Sequence, residues 1–178
     1  MSVLTPSRCV LLLSDEAVNV YDIDNKQARF VQAIDWNTKS FVDILTDAIV
    51  RRCGNKPVLV LVDLVEQHYR KERIPKVSPL DKPNVIQRKL KAGFPKFNMR
   101  AAKKLRTESS KQAHNKGDIY LFAALPSSKY FTRTMEAVVS SNAPIAGVSL
   151  LPVESASMVG AFQDRLSKRD TNIGNAIW

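Results

Sequence analysis

Lys56-Pro-Val-Leu-Val-Leu-Val-Asp-Leu-Val-Glu-Gln-His-Tyr-Arg-Lys-Glu-Arg-Ile-Pro75 joins an uninterrupted apolar run to the most positively charged part of the chain. Val58 to Val62 are consecutive branched apolar residues, the composition of a strand buried on both faces, which predicts a central place between parallel neighbours. The strand ends at Asp63. A polar, basic segment follows in place of a tight hairpin, so an excursion from the sheet is expected there.

The charge is unevenly placed. The 178 residues carry a net +10, but between Arg70 and Lys116 fifteen Lys or Arg stand against three acids (Glu72, Asp81, Glu108), a local +12, so the rest of the chain carries −2. Basicity confined to one region points to a partner of negative charge: an acidic protein face, anionic lipid headgroups or nucleic acid. The length suits one domain with a subdomain and is enough to bury a core. The longest apolar runs, Cys9 to Leu13 and Val58 to Val62, fall far short of the roughly 20 residues that cross a bilayer. The start, Met1-Ser-Val-Leu-Thr-Pro6, has no basic-then-apolar secretory pattern. The chain as given therefore reads as a soluble domain.

Cys9 and Cys53 sit in apolar settings and read as small buried hydrophobes. With His68 and His114 as the only histidines, and no Cys-x-x-Cys or His-x-x-x-His spacing, no zinc site is expected.

From the N-terminus, Arg8 to Ser14, Ala17 to Ile23 and Gln27 to Ile34 read as three short strands of an antiparallel meander, turned at Asp15-Glu16 and Asp24-Asn25. In the second strand Val18, Val20 and Tyr21 are expected to pack. Asn37 or Thr38 is placed to cap a helix with Phe41, Ile44, Leu45, Ala48 and Ile49 on one face. Arg51 and Arg52 lie in its last turn and Gly54 ends it. The central strand runs from Pro57 to Asp63. Val65 to Lys71 is read as one or two helical turns before Pro75 and Pro79. Asp81 to Phe94 is a helix with Val85, Ile86, Leu90 and Phe94 inward. Phe97 to Thr107 reads as a strand with Met99, Ala101 and Leu105 inward, then a polar loop from Glu108 to Gly117, then a strand from Asp118 to Leu125 that pairs with it as a hairpin. A helix from Pro126-Ser127-Ser128 puts Tyr130, Phe131, Met135, Val138 and Val139 inward. Pro144 to Leu150 is a strand, Pro152 to Leu166 a last helix, and 167–178 a polar linker.

Three antiparallel strands, a helix, a buried strand, an excursion, then helix and strand again is the succession of an actin-like or ribonuclease-H-like α/β domain with a mixed sheet. The domain is expected over 1–166, with a basic insertion at about 66–117. Val62-Asp-Leu-Val-Glu-Gln-His-Tyr-Arg-Lys-Glu-Arg-Ile-Pro75, Gln87-Arg-Lys-Leu-Lys-Ala-Gly-Phe-Pro95 and Pro144-Ile-Ala-Gly-Val-Ser-Leu-Leu-Pro152 resemble the cytoplasmic domains of bitopic inner-membrane type IV pilus proteins. These are the BfpC-like family, similar in architecture to PilM and to the cytoplasmic part of GspL in type II secretion. The resemblance implies a scaffold on the cytoplasmic face of the bacterial inner membrane, part of a single-pass membrane protein. Its implied partner is the assembly ATPase or another platform protein, with acidic lipid headgroups and a homodimer also to be tested; 167–178 would then be juxtamembrane.

Chemistry finds little to work with. Actin-like nucleotide binders need a glycine-bearing turn after the first strand, so that backbone N–H groups close on phosphate. Leu12 to Val18 has no glycine, and the residues after Asp63 offer neither glycine nor hydroxyl. The expectation is a degenerate nucleotide site, no cofactor, no metal and no enzymatic activity. A ribonuclease-H-like nuclease needs convergent carboxylates for paired metals, and Cys9 to Leu13 contains none. The rival reading is a basic nucleic-acid-binding protein of that fold without a complete nuclease site, with Arg100, Lys103, Lys104, Arg106, Lys111 and Lys116 on phosphates and Phe97 or Tyr120 for stacking. A Ser-His-Asp hydrolase lacks its Gly-x-Ser-x-Gly elbow. The expected partner-binding residues are Tyr69, Arg70, Arg73, Arg88, Lys89, Arg100, Lys103, Lys104 and Arg106.

Overall fold

The structure, a computed structural model of the chain, describes residues 7–25, 27–108 and 117–155. Most of the polar loop expected at 108–117, with Lys111, His114 and Lys116, lies outside them, as do most of the last helix and the whole 167–178 linker. In chain order the elements are β1 (Arg8–Ser14), β2 (Ala17–Asp24), β3 (Gln27–Asp35), α1 (Phe41–Asp47), β4 (Val58–Asp63), β5 (His68–Pro75), α2 (Lys82–Gly93), β6 (Met99–Glu108), β7 (Gly117–Leu125), α3 (Lys129–Ser140) and β8 (Ile145–Leu150). Residues 151–155 are helical. The chain divides into two compact units, Met1–Leu64 with Tyr130–Trp178, and Val65–Lys129.

The first unit is built on a five-stranded sheet ordered β3-β2-β1-β4-β8. β1, β2 and β3 pair antiparallel, while β4 runs parallel to both β1 and β8. This is a mixed α/β sheet of the actin-like kind. Cys9, Leu11 and Leu13 of β1 stand beside Val58, Val60 and Val62 of β4, and all six are fully buried. Phe41, Leu45 and Ile49 complete that core with Phe131, Ala137 and Val138 of α3. Each Val, Leu, Ile or Phe side chain among them contributes about 1.5–3 kcal/mol by leaving water. β4 is central and parallel as expected, but it is not buried equally on both faces: Leu59 and Leu61 are half-buried. The Thr46 hydroxyl donates to the Ala137 carbonyl at 3.3 Å, tying α1 to α3. Trp36 stacks on Phe41 and Tyr130 at 5.1 and 4.6 Å.

Three expectations are corrected here. Asn37 and Thr38 do not cap α1, because both stand before its N-cap position, Ser40, in a turn where the Asp35 carboxylate accepts from the Asn37 N–H at 2.7 Å and the Asp35 carbonyl from the Thr38 N–H at 3.1 Å. Ser40, in left-handed backbone, precedes the helix without a side-chain cap. After Asp47 the helix widens into a π-turn over Ala48–Arg52, and Gly54 follows at φ 63°. Val139 is 66% exposed, and Thr134 is buried in its place. The stripe Phe131, Thr134, Val138 keeps the three-and-four spacing of one helical face, from which Val139 is turned by about 100°.

Cys9 and Cys53 are buried free thiols. A hydrogen bond to Cys53, together with burial, pushes the Cys9 thiol up. Nearby, Lys56 bonds Asp22 at 2.6 Å and Arg29 bonds it at 3.2 Å. Burial raises the Asp22 carboxyl, but the bonds from Lys56 and Arg29 outweigh it and hold the group below the ordinary carboxylate range.

The second unit has a three-stranded antiparallel sheet ordered β5-β7-β6. α2 supplies Val85, Ile86 and Leu90, and Phe94 follows it, to cover Ile74, Tyr120, Phe122, Ala124 and Ala102. β5 corrects the helical turns expected over Val65 to Lys71. His68 to Pro75 pairs along its whole length with β7, and cross-strand pairing overrides a local preference that its charged composition leaves weak. Gly117 opposes Pro75, and a Cβ there would stand 2.5 Å from the Ile74 carbonyl oxygen, so only glycine lets these strands close. β7, expected outside the basic insertion, belongs to this sheet. In β6 the expected inward set is reversed: Ala101 and Leu105 are exposed, while Ala102 packs on the core. A reading displaced by one residue turns every side chain of a strand to the wrong face.

Leu45→Ala should cost about 2–5 kcal/mol in urea unfolding, whereas Val139→Ala should stay within about 0.5 kcal/mol of wild type. Because the folded Asp22 carboxyl sits below its unfolded value of about 3.9, its contribution is present above that pH and lost as pH falls through the folded value. The stability advantage of wild type over Asp22→Asn should therefore shrink below about pH 4, as followed by urea midpoints at successive pH values.

Candidate docking face of the three-stranded sheet

Strand alternation divides the basic residues of the second unit between two faces. Directly paired residues share a face, and the core residues Ile74, Phe122 and Ala102 identify the side covered by α2. His68, Arg70 and Glu72 of β5, Asp118 of β7, and Arg100 and Lys104 of β6 lie on that helix side by register. The opposite, open side receives Tyr69, Lys71 and Arg73 from β5 and Lys103 and Arg106 from β6, in two cross-strand rows: Lys71–Leu121–Lys103 and Arg73–Ile119–Arg106. Leu105 is the extra residue of a bulge between Lys104 and Arg106, and this bulge sets the register that places Arg106 opposite Ile119.

On the helix side the cations are built into the unit. Glu72 receives Arg70 at 2.5 Å and Lys89 at 3.3 Å, and Lys89 also donates to the Arg73 carbonyl at 2.8 Å. Asp118 is bonded by Lys82 and, at 2.9 Å, by Lys104. The bond to Asp118 raises the Lys82 ammonium above its ordinary value. Arg100 donates to the Phe94 carbonyl at 3.2 Å. Of the nine residues expected to bind a partner, Arg70, Lys89, Arg100 and Lys104 thus hold structure, Arg88 is exposed on α2, and Tyr69, Arg73, Lys103 and Arg106 share the open face. Lys71 belongs with them; the period-two spacing Tyr69, Lys71, Arg73 would have found it had this stretch been read as a strand. Along each strand the cations are about 6.7 Å apart, and the two rows' ends stand about 10 Å apart across the sheet. Lys71, Arg73, Lys103 and Arg106 are exposed over a floor in which Ile119 and Ala123 are buried.

The first unit holds the place where an actin-like enzyme would bind phosphate. Ser14 and Asp63 are neighbours at the carboxyl ends of the parallel strands β1 and β4, the end of an α/β sheet that ligands favour. The turn leaving β1 is closed by Ser14: its Oγ accepts from the Ala17 N–H at 3.3 Å and donates to the Ala17 carbonyl at 3.0 Å. The Trp36 indole donates to the Ser14 carbonyl at 2.9 Å. Among the described residues no three His, Cys, Asp or Glu converge to hold a metal, and no helix is long and apolar enough to cross a membrane.

The chain is similar to several solved structures. A PilM-PilN type IV pilus biogenesis complex is similar over 80% of this chain and 46% of that chain, at 12% identity and a TM-score of 0.52. The cytoplasmic domain of EpsL, an inner-membrane component of the Vibrio cholerae type II secretion system, matches 80% of this chain and 57% of its own at 9% identity and a TM-score of 0.48. A Bacteroides thetaiotaomicron protein with an actin-like ATPase fold and unknown function matches 90% and 56% at 9% identity and 0.45. The chain spans about half the length of each. No family model and no curated protein matches it. Together with the strand order, the first of these likenesses identifies the class: an actin-like α/β domain.

Charge reversal should separate the two faces. Lys71→Glu, on the open face, is expected to leave stability within about 0.5 kcal/mol of wild type. Lys104→Glu, which sets a carboxylate against Asp118, should cost about 1 kcal/mol or more, measured by urea unfolding.

Proposed function

We propose that this chain is a non-catalytic cytoplasmic scaffold of a type IV pilus or type II secretion-like assembly platform at the bacterial inner membrane, where it binds the assembly ATPase or another platform protein. The BfpC-like resemblance is part of this reading. The observation that carries it is the β1–β2 turn. Backbone N–H groups that an actin-like ATPase would turn toward phosphate need a small, open turn, and here the Ala17 N–H is already taken by Ser14 Oγ. Ala17 and Val18 add side chains where a glycine-bearing turn would leave room. A sheet of this architecture without a phosphate cradle retains a rigid support for binding surfaces.

The likeness to a PilM-PilN complex supports a role in protein assembly, since that structure is named as a biogenesis complex. The second unit supplies the contact surface, with Lys71, Arg73, Lys103 and Arg106 on its open face. A partner recognised there would gain on-rate and specificity more than raw affinity, since exposed pairs contribute only about 0.2–1 kcal/mol each.

Two measurements test the reading together. Calorimetry with magnesium and ATP should show no saturable binding, and the purified chain should bind the pilus or secretion ATPase, or a platform protein, encoded with it at micromolar affinity. Saturable magnesium-dependent ATP binding would remove the non-catalytic part; failure to bind any of these proteins would remove the scaffold.

A further inference from the structure

The chain's two cysteines lie far apart in sequence and meet in the first unit. Cys9 stands near the start of β1, between β2 and β4. It opposes Asp22 on one side and Val58 on the other, and its N–H donates to the Pro57 carbonyl at 3.0 Å. Cys53 closes the π-turn, its N–H donating to the Ala48 carbonyl at 3.1 Å. Its sulfur lies 4.0 Å from the carbonyl of Tyr21, the neighbour of Asp22. Both are free thiols, buried at 0% and 1% exposure, and a hydrogen bond joins them. We propose that Cys9 and Cys53 form an oxidisable dithiol, which hydrogen peroxide converts in the folded protein to a disulfide stapling β1 to the end of the helical segment.

Burial alone makes a thiol inert, but two features set this pair apart. The first is charge. Lys56 bonds Asp22 at 2.6 Å, and Arg29 donates both to Asp22 at 3.2 Å and to the carbonyl of Arg52, next to Cys53, at 3.4 Å. The bond from the Cys9 S–H, aided by Lys56 and Arg29, holds the Cys53 thiol below its ordinary value against burial and the Asp22 charge. The same bond, with burial, pushes Cys9 up. Cys53 is therefore the attacking sulfur and Cys9 the resolving one. The second feature is access. Arg52 and Gly54, on either side of Cys53, are exposed. Gly54 and Asn55 turn back in left-handed backbone at φ 63° and 53°, and the Lys56 N–H donates to the Cys53 carbonyl at 3.4 Å. A single surface turn covers the thiol, so peroxide, small and uncharged, needs only a local opening there.

The Cys53 thiolate attacks one peroxide oxygen, the O–O bond breaks, and the departing hydroxide takes the proton that the thiol released. Cys53 is then a sulfenic acid. The Cys9 sulfur displaces its hydroxyl, the S–S bond forms, and the Cys9 proton leaves with that hydroxyl as water. Both sulfurs are oxidised and both peroxide oxygens are reduced to water. The new bond closes a loop over β2, β3 and α1, which removes freedom from the unfolded chain.

The test treats the full folded chain with dilute hydrogen peroxide and then unfolds it in an alkylating reagent. Both thiols should escape alkylation, with a mass lower than the reduced chain by about 2 Da and a linked pair of tryptic peptides. The melting temperature should rise by about 5–10 °C, and dithiothreitol should reverse every change. In Cys9→Ala, which keeps a small apolar side chain, Cys53 should stop at a sulfenic acid that dimedone traps, whereas in Cys53→Ala the Cys9 thiol should remain open to alkylation. Two intact thiols in treated wild type overturn the proposal. So does a bond between two chains, or a disulfide that lowers the melting temperature, since such a bond would oppose the native geometry. Dimedone on Cys9 in Cys53→Ala would overturn the assignment of the attacking sulfur.

Discussion

The pleat of a β-strand sends successive side chains to opposite faces, and both units depend on that alternation being held in register. In β4 it buries Val58, Val60 and Val62 completely against Leu11 and Leu13 while leaving Leu59 and Leu61 half-exposed. In β6 it turns Arg100, Ala102 and Lys104 toward α2 and Lys103 away from it. A one-residue slip would place Lys103 against the core and Ala102 in water, at a cost of several kcal/mol for a desolvated ammonium. Register is therefore strongly specified in both sheets.

The same alternation sorts electrostatics by consequence. Glu72 and Asp118 on the helix side meet cations within a partly buried layer, where Lys82 and Lys89 tie α2 to the sheet, Lys104 ties β6 to β7, and Arg70 pairs within β5. Cations on the open side face solvent, where salt screens them beyond about 10 Å and a single pair adds little. Binding energy on such a face is collective, so its geometry matters more than any one residue. The net +10 of the chain conceals this division.

In the first unit the parallel pair β1–β4 brings Ser14 beside Asp63 at the end of the sheet where α/β proteins place ligands. What occupies that position is a turn closed by its own serine and backed by the Trp36 indole. Trp36 also stacks between Phe41 and Tyr130, and Arg133 lies over the Phe41 ring at 4.5 Å while donating to the Trp36 carbonyl at 2.6 Å. The turn is thus held by the same aromatic layer that seats α1 and α3.

The sequence by itself determined the order of elements over most of the chain: the meander, the central strand at Val58 to Val62, the amphipathic α2 with Val85, Ile86, Leu90 and Phe94 inward, and the apolar β7. These carry their own periodicity, and apolar burial is a local property of composition. It also placed the basic region and its sign. Only the tertiary structure decided that His68 to Pro75 is a strand, because a run of charged residues has no apolar period to betray it and takes its conformation from pairing with β7. It likewise decided which cations face out. Arg100, Lys103, Lys104 and Arg106 are alike in sequence, and the pleat, the bulge at Leu105 and the acids on the neighbouring strands divide them between structure and surface.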